Sequence, residues 1–234
     1  MSQSTSAASA LIDIIADPRK ALAAADANPG WLWPPLVLLI ALPVMVAVYY
    51  FQTVDIDWMV DQIFAQASQA GEELPEEARS FMTRTTMTVS TVVAQSIIVP
   101  ALLALLALYL HLVNKFSSAD ERGFKNWFAL AVWAAFPVVL GSIATFIYYL
   151  ALGDNQISFE DLNFFSANSL FTHYGTGHPA ATFMNTLTPF TFWSLGLLTL
   201  GLMQWTKRTL AGSLMVAAAP YVVVYGVWSF SAFG

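Results

Sequence analysis

Three histidines are the side chains most able to do chemistry. His173 and His178 flank Tyr174-Gly175-Thr176-Gly177. With Glu160 or Asp161 they supply the donor types of a zinc site. The spacing between them crosses two glycines instead of one helix face, however, and it fixes no third ligand. His111 stands one helical turn before Lys115. It reads as an interfacial histidine or as a contact for a lipid phosphate. Cysteine is absent, which removes disulfides, thiolate metal sites and thiol nucleophiles together. No G-x-S-x-G elbow, H-E-x-x-H pair or P-loop occurs. Neither an enzymatic activity nor a cofactor or metal is expected.

The elements that must carry these residues are set by composition. The chain has 234 residues, 57% of them hydrophobic and 10% charged. Soluble domains carry about 25% charged residues. With a mean hydropathy of +0.62, the natural solvent is lipid. The net charge of −6 leaves no basic excess for nucleic acid.

A spanning helix needs about 20 mostly apolar residues. Five stretches qualify, at about residues 31–51, 89–113, 127–152, 189–205 and 210–233. The fold expected is all-α: a five-span integral membrane bundle over residues 31–234, preceded by a cytoplasmic interfacial segment, 1–30. No Asp, Glu, Lys or Arg lies in the core of any span, which speaks against proton relays. Pro43, Pro100, Pro137 and Pro220 fall inside spans. They read as packing kinks or as hinges. The first twenty residues lack a basic n-region and a long apolar core, so no cleaved signal is expected.

Orientation follows the basic residues. One side collects Arg19, Lys20, Lys115, Arg122, Lys125, Lys207 and Arg208; the other collects Arg79 and Arg84. Ten acids, Glu72 among them, fall on the second side and five, Asp120 among them, on the first. The sides then carry +2 and −8, which places the N-terminus in the cytoplasm and the C-terminus outside it.

Before the first span, Asp17-Pro18 reads as an N-cap with proline at the first helical position. The segment either lies in the interface or packs beneath the bundle. After span 1, DIDWMVDQIFAQASQAG and LPEEARSFM predict an acidic helical hairpin outside the cytoplasm. Its second helix has Pro75 at its start and runs toward span 2. The hairpin is a solvated face or a surface for cations or a basic partner.

Spans 3 and 5 align without a gap. Lys125 matches Arg208, Ala134-Ala135 matches Ala217-Ala218, and Pro137 matches Pro220. Hairpins 2–3 and 4–5 then form a degenerate parallel repeat, or the alanines agree by chance. If the repeat is real, the cleft between them, near Pro100, Pro137, Pro220 and His111, is where a pocket belongs. Small residues in the spans, including Ala131, Gly196 and Gly201, favour close helix packing.

Taken in order, Asp17-Pro18, Phe124-Lys125, Ala135-Phe136-Pro137 and Phe192-Trp193-Ser194 resemble the YIP (Ypt-interacting protein) membrane family, in its bacterial branch. The resemblance covers most of the chain from about residue 11. It implies a five-span bundle with a cytoplasmic N-terminus and no catalytic residues. Eukaryotic relatives are trafficking factors that contact Rab-type GTPases and associate with one another, and they carry an Asp-Leu-Tyr-Gly-Pro motif ahead of the spans. That motif has no counterpart here, so GTPase binding is not carried over.

The function expected is a membrane scaffold or adaptor of the bacterial inner membrane. Asp17, Pro18, Arg19, Lys20, Arg122, Phe124 and Lys125 would hold a membrane-protein partner or a second copy. The alternative is lipid binding or scrambling along the cleft between the two hairpins. Membrane lipids are partners in either case.

Overall fold

A computed structural model of the chain describes residues 6–69, 71, 73–117, 121–175 and 178–234. Glu72, Asp120, Thr176 and Gly177 lie outside the described residues. Among those described, every regular element is helical. In chain order they are α1 (Ala7–Ala16), α2 (Pro18–Ala27), α3 (Trp33–Thr53) and α4 (Ile56–Gln69). Then come α5 (Glu77–Phe81), α6 (Arg84–Ser117), α7 (Phe124–Ala134) and α8 (Pro137–Leu152). The last three are α9 (Pro179–Thr186), α10 (Pro189–Thr206) and α11 (Leu210–Phe233).

Among the described residues, four helical stretches are long and apolar enough to cross a membrane: Pro29–Thr53, Arg84–Phe116, Phe124–Leu152 and Leu210–Phe233. The pair α9 and α10, bent by 48°, makes a fifth if counted as one span. Only 17% of the apolar window of α6 and 11% of that of α11 is buried. Val93, Ile97, Leu105, Val223, Val227 and Phe230 stand exposed on these two helices. Such surfaces match lipid and would not hold in water.

The chain divides into two compact units. The first takes residues up to Ala41, Ile97–Leu140 and Phe190–Gly226. α7 is apolar nearly all round and is its core: Trp127, Leu130, Val132 and Trp133 are fully buried. Gly201 of α10 packs against α7. A Cβ there would clash with Leu130 Cδ1, so the glycine makes room for that leucine. Gly196, in the same helix, has open space beside it.

Prolines in this unit are handled in two ways. Pro220 lies inside the unbroken helix α11. A proline cannot donate to the carbonyl four residues back. That carbonyl, on Val216, accepts from the Tyr109 hydroxyl of α6 at 3.0 Å. At Pro137 the helix instead breaks at Ala135–Phe136, and Pro137 opens α8. The Trp133 carbonyl is taken up locally by the Phe136 N–H at 3.2 Å, a tightened turn. The third span is therefore two helices and not one. The prolines matched by the apparent repeat have different local structures. Pro100, like Pro220, leaves its helix continuous, as does Pro43 of the second unit.

The second unit takes Leu42–Ser96, Gly141–Pro189 and Val227–Gly234. Its core gathers Ala47, Tyr50, Phe51, Val54, Met59, Tyr149 and Leu162. Arg84, the first residue of α6, donates to the carbonyls of Phe51 and Val54. Carbonyls at a helix C-terminus lack intrahelical donors, and a guanidinium supplies them. The Tyr50 hydroxyl donates to Ile157 O at 2.9 Å and pins the following loop. The helix expected from Pro75 starts at Glu77 and stops at Phe81. It does not continue into α6, because the Thr83 hydroxyl accepts from Thr86 N–H and starts that helix afresh. Arg79 of α5 bonds Asp61 of α4 at 2.7 Å and lies 4.2 Å over the Phe64 ring.

Candidate functional site

The polar side chains expected to meet partners collect around α2. Asp17 caps this helix: Lys20 N–H donates to its carboxylate at 3.2 Å, and Pro18 occupies the first helical position. Lys20 Nζ lies 2.9 Å from Asp13 of α1 and ties the two helices together. α1 buries Ala10 and Ile14 but leaves Ile12 71% exposed and Ile15 44% exposed.

α2 buries Ala21, Leu22, Ala24 and Ala25. Four small or apolar residues on one face let it lie close to α7, its partner in this unit. Two side chains of α10 reach its backbone. Trp205 Nε1 donates to Leu22 O at 3.1 Å, and Gln204 Nε2 donates to Arg19 O at 3.0 Å. Both acceptors lie inside α2, so the bonds fix its position along α10 without depending on its side chains.

Arg122, two residues before α7, makes the strongest link. Its Nε donates to Asp26 Oδ1 at 2.8 Å and its Nη2 to Asp26 Oδ2 at 2.7 Å. This paired geometry is the strong form of an arginine–carboxylate contact. Both side chains are about a quarter exposed. The Arg122 guanidinium also lies 5.5 Å over the Trp205 ring, which packs 5.8 Å from Trp127. Asn126 Nδ2 donates to the Asp26 carbonyl at 3.4 Å. A cavity of about 600 Å³ opens here, lined by Ala23, Asp26, Glu121, Arg122, Asn126 and Gln204 among others. Arg19 and Gln204, with Leu200 and Met203, line a second cavity of about 230 Å³.

Of the residues singled out from sequence, Arg19 and Arg122 come to these neighbouring cavities, which share Gln204. Phe124 is 42% exposed and stacks on Phe128 at 5.9 Å. Lys125 Nζ lies 4.0 Å from where a Cβ on Gly30 would sit. His111 is in α6, and its Nδ1 is buried without a hydrogen-bond partner. His173 ends a short π-turn in a left-handed conformation, φ 51°. His178 caps α9: its Nδ1 accepts from Ala180 N–H at 3.1 Å, and its ring stacks on Tyr174. That nitrogen is engaged by the backbone. Among the described residues no group of three His, Cys, Asp or Glu side chains could hold a metal.

Sequence reasoning did not single out Asp26, Asn126 or Trp205, and it read Gln204 as a polar residue bonding between packed spans. Asp26 stood only in the charge count. Nothing in the sequence links it to Arg122, 96 positions away. An acid and a base stranded next to apolar spans were the available signal.

The arrangement positions α2 beside an open polar cavity. Comparison with known proteins found no match among curated proteins or solved structures. The family model described as the Yip1 domain matches residues 12–231. An all-helical chain with several membrane-length apolar helices, matched over nearly its whole length, is an integral membrane protein that belongs to the Yip1 domain family.

Proposed function

We propose that the protein is a non-enzymatic membrane adaptor of the family's bacterial branch, in the inner membrane. In this reading α9 and α10 together make a fifth span. The N-terminus faces the cytoplasm, and the C-terminus and the acidic α4–α5 segment face away from it. The basic residues divide seven to two in favour of this orientation.

One observation carries the adaptor reading. α2 is clamped by Arg122, Gln204 and Trp205 beside an open polar cavity of about 600 Å³, where Asp26 and Arg122 already neutralise each other. A clamped surface helix beside a polar recess suits a partner protein's backbone and polar side chains. The partner is a membrane protein or a second copy of the chain. A Rab-type GTPase does not fit, because the motif that would carry it is missing.

The test is purification from native membranes in mild detergent, with lysine crosslinking and mass spectrometry. The reading expects a protein in fixed stoichiometry, crosslinked to Lys20 or Lys125 and lost on Arg122→Ala. Absence of any crosslinked protein would remove it.

A second reading, lipid scrambling, is favoured by the break of the third span at Ala135–Phe136. Vesicles containing the protein would then exchange lipid between leaflets faster than empty ones, and Pro137→Ala would slow them. Exchange no faster than in empty vesicles sinks this reading.

A further inference from the structure

We propose that the cavity of about 230 Å³ between α2 and α10 is a seat for one anionic phospholipid, with Arg19 taking the headgroup phosphate and Leu200 and Met203 taking the start of an acyl chain. The proposal rests on the reading of α9 and α10 as one span and not on the adaptor role.

The cavity's walls change character with depth. α10 is a helix of the membrane-spanning pair and ends at Thr206. At 1.5 Å per residue, Met203 lies about 4.5 Å and Leu200 about 9 Å inside that end. With α10 in the span, the apolar wall reaches into the bilayer, while Arg19, in the first turn of α2, lies beside Gln204 in the last turn of α10, which donates to its carbonyl. A cation above and hydrocarbon below is the polarity profile of a phospholipid.

Arg19 is exposed, and among the described residues its guanidinium forms no ion pair. Two nearby basic groups are already engaged, Lys20 by Asp13 and Arg122 by Asp26. Arg19 has no such partner and lines the apolar-walled cavity. A volume below the roughly 300–1,000 Å³ of sites for drug-sized ligands suits a headgroup with its chains running on along the span. Exposed Ile12 and Ile15 on α1, the helix joined to α2 through Asp13 and Lys20, set this part of the molecule against a lipid surface.

The experiment uses the full chain, delipidated in detergent and offered phosphatidylglycerol or phosphate-free diacylglycerol, with bound lipid counted by native mass spectrometry. Phosphatidylglycerol is expected to be retained and diacylglycerol not. Arg19→Gln lowers its occupancy about fivefold, the effect of one basic side chain at an anionic surface, and Arg19→Lys keeps it. Met203→Trp, which fills the cavity without touching charge, lowers occupancy as well. Thermal melts confirm that each variant is folded. Occupancy unchanged in either Arg19→Gln or Met203→Trp overturns the proposal, as does equal retention of diacylglycerol. Displacement of the lipid by millimolar inorganic phosphate overturns it too, because the site would then be one for a free anion.

Discussion

The hydroxyl of Tyr109 donates to the carbonyl of Val216, the one carbonyl of α11 that Pro220 leaves without its helical donor. The bond satisfies the carbonyl that a proline in the middle of a span sets free. It also ties α6 to α11 within one unit. Tyr109→Phe is expected to cost about 1–3 kcal/mol, the penalty for orphaning a buried acceptor. In a Pro220→Ala background the helix supplies its own donor, and the same change costs less. A double-mutant cycle on thermal stability reads the coupling directly. Equal costs in the two backgrounds would contradict this account of the proline.

Asp26 and Arg122 hold α2 in place. Removing either partner leaves a half-buried charge. Arg122→Ala is expected to cost about 1.5–3 kcal/mol, the range for hydrogen bonds to charged groups. It should also raise hydrogen exchange over residues 18–27 more than elsewhere. Arg122→Lys recovers only part of the loss, since an ammonium cannot match both carboxylate oxygens. Uniform exchange across the chain would show that the pair does not set the position of α2.

Gly201 leaves room for Leu130. Gly201→Ala must displace that leucine, and overpacking of this kind costs about 1–3 kcal/mol. Gly196→Ala, with open space around it, should change melting by little. A melting series of the two variants separates a packing glycine from an incidental one.

Glu160 lies in the loop after α8, outside the spans. Burial, with Asp161 beside it, pushes its carboxyl above the usual value of 4.5. A raised carboxyl favours the protonated form in the fold. The penalty is absent below the unfolded value and grows as pH rises through the folded one. Glu160→Gln should therefore stabilise the protein at pH 7 and make no difference at pH 4. The side chain keeps an exposed surface, so the gain stays below about 1 kcal/mol. A larger gain at pH 4 than at pH 7 would reverse the sign.

Legibility in the sequence followed the range of the forces involved. Apolar runs and proline positions are local, and the fifth apolar run coincides with α11, Leu210–Phe233. The cap at Asp17-Pro18 is also local and stands as read. The family follows from short motifs in order. The breaks were not legible where a distant group decided them. Pro137 and Pro220 look alike in sequence; at Pro220 the freed carbonyl finds Tyr109 of α6, a partner the sequence does not show. The start of α6 at Arg84 was missed because its role is to cap α3, 33 residues earlier. The Asp26 contact was missed for the same reason. Arg19 and Arg122 were singled out by charge alone, and their cavities needed the packing of α2 on α10.

The most direct test of the adaptor account is quantitative crosslinking mass spectrometry on wild type and Arg122→Ala, purified side by side from native membranes. The account predicts one partner in fixed stoichiometry on the wild type, crosslinked to Lys20 or Lys125 and lost from the variant while the variant still melts cooperatively. No partner on the wild type, or a partner retained equally by the variant, would contradict it.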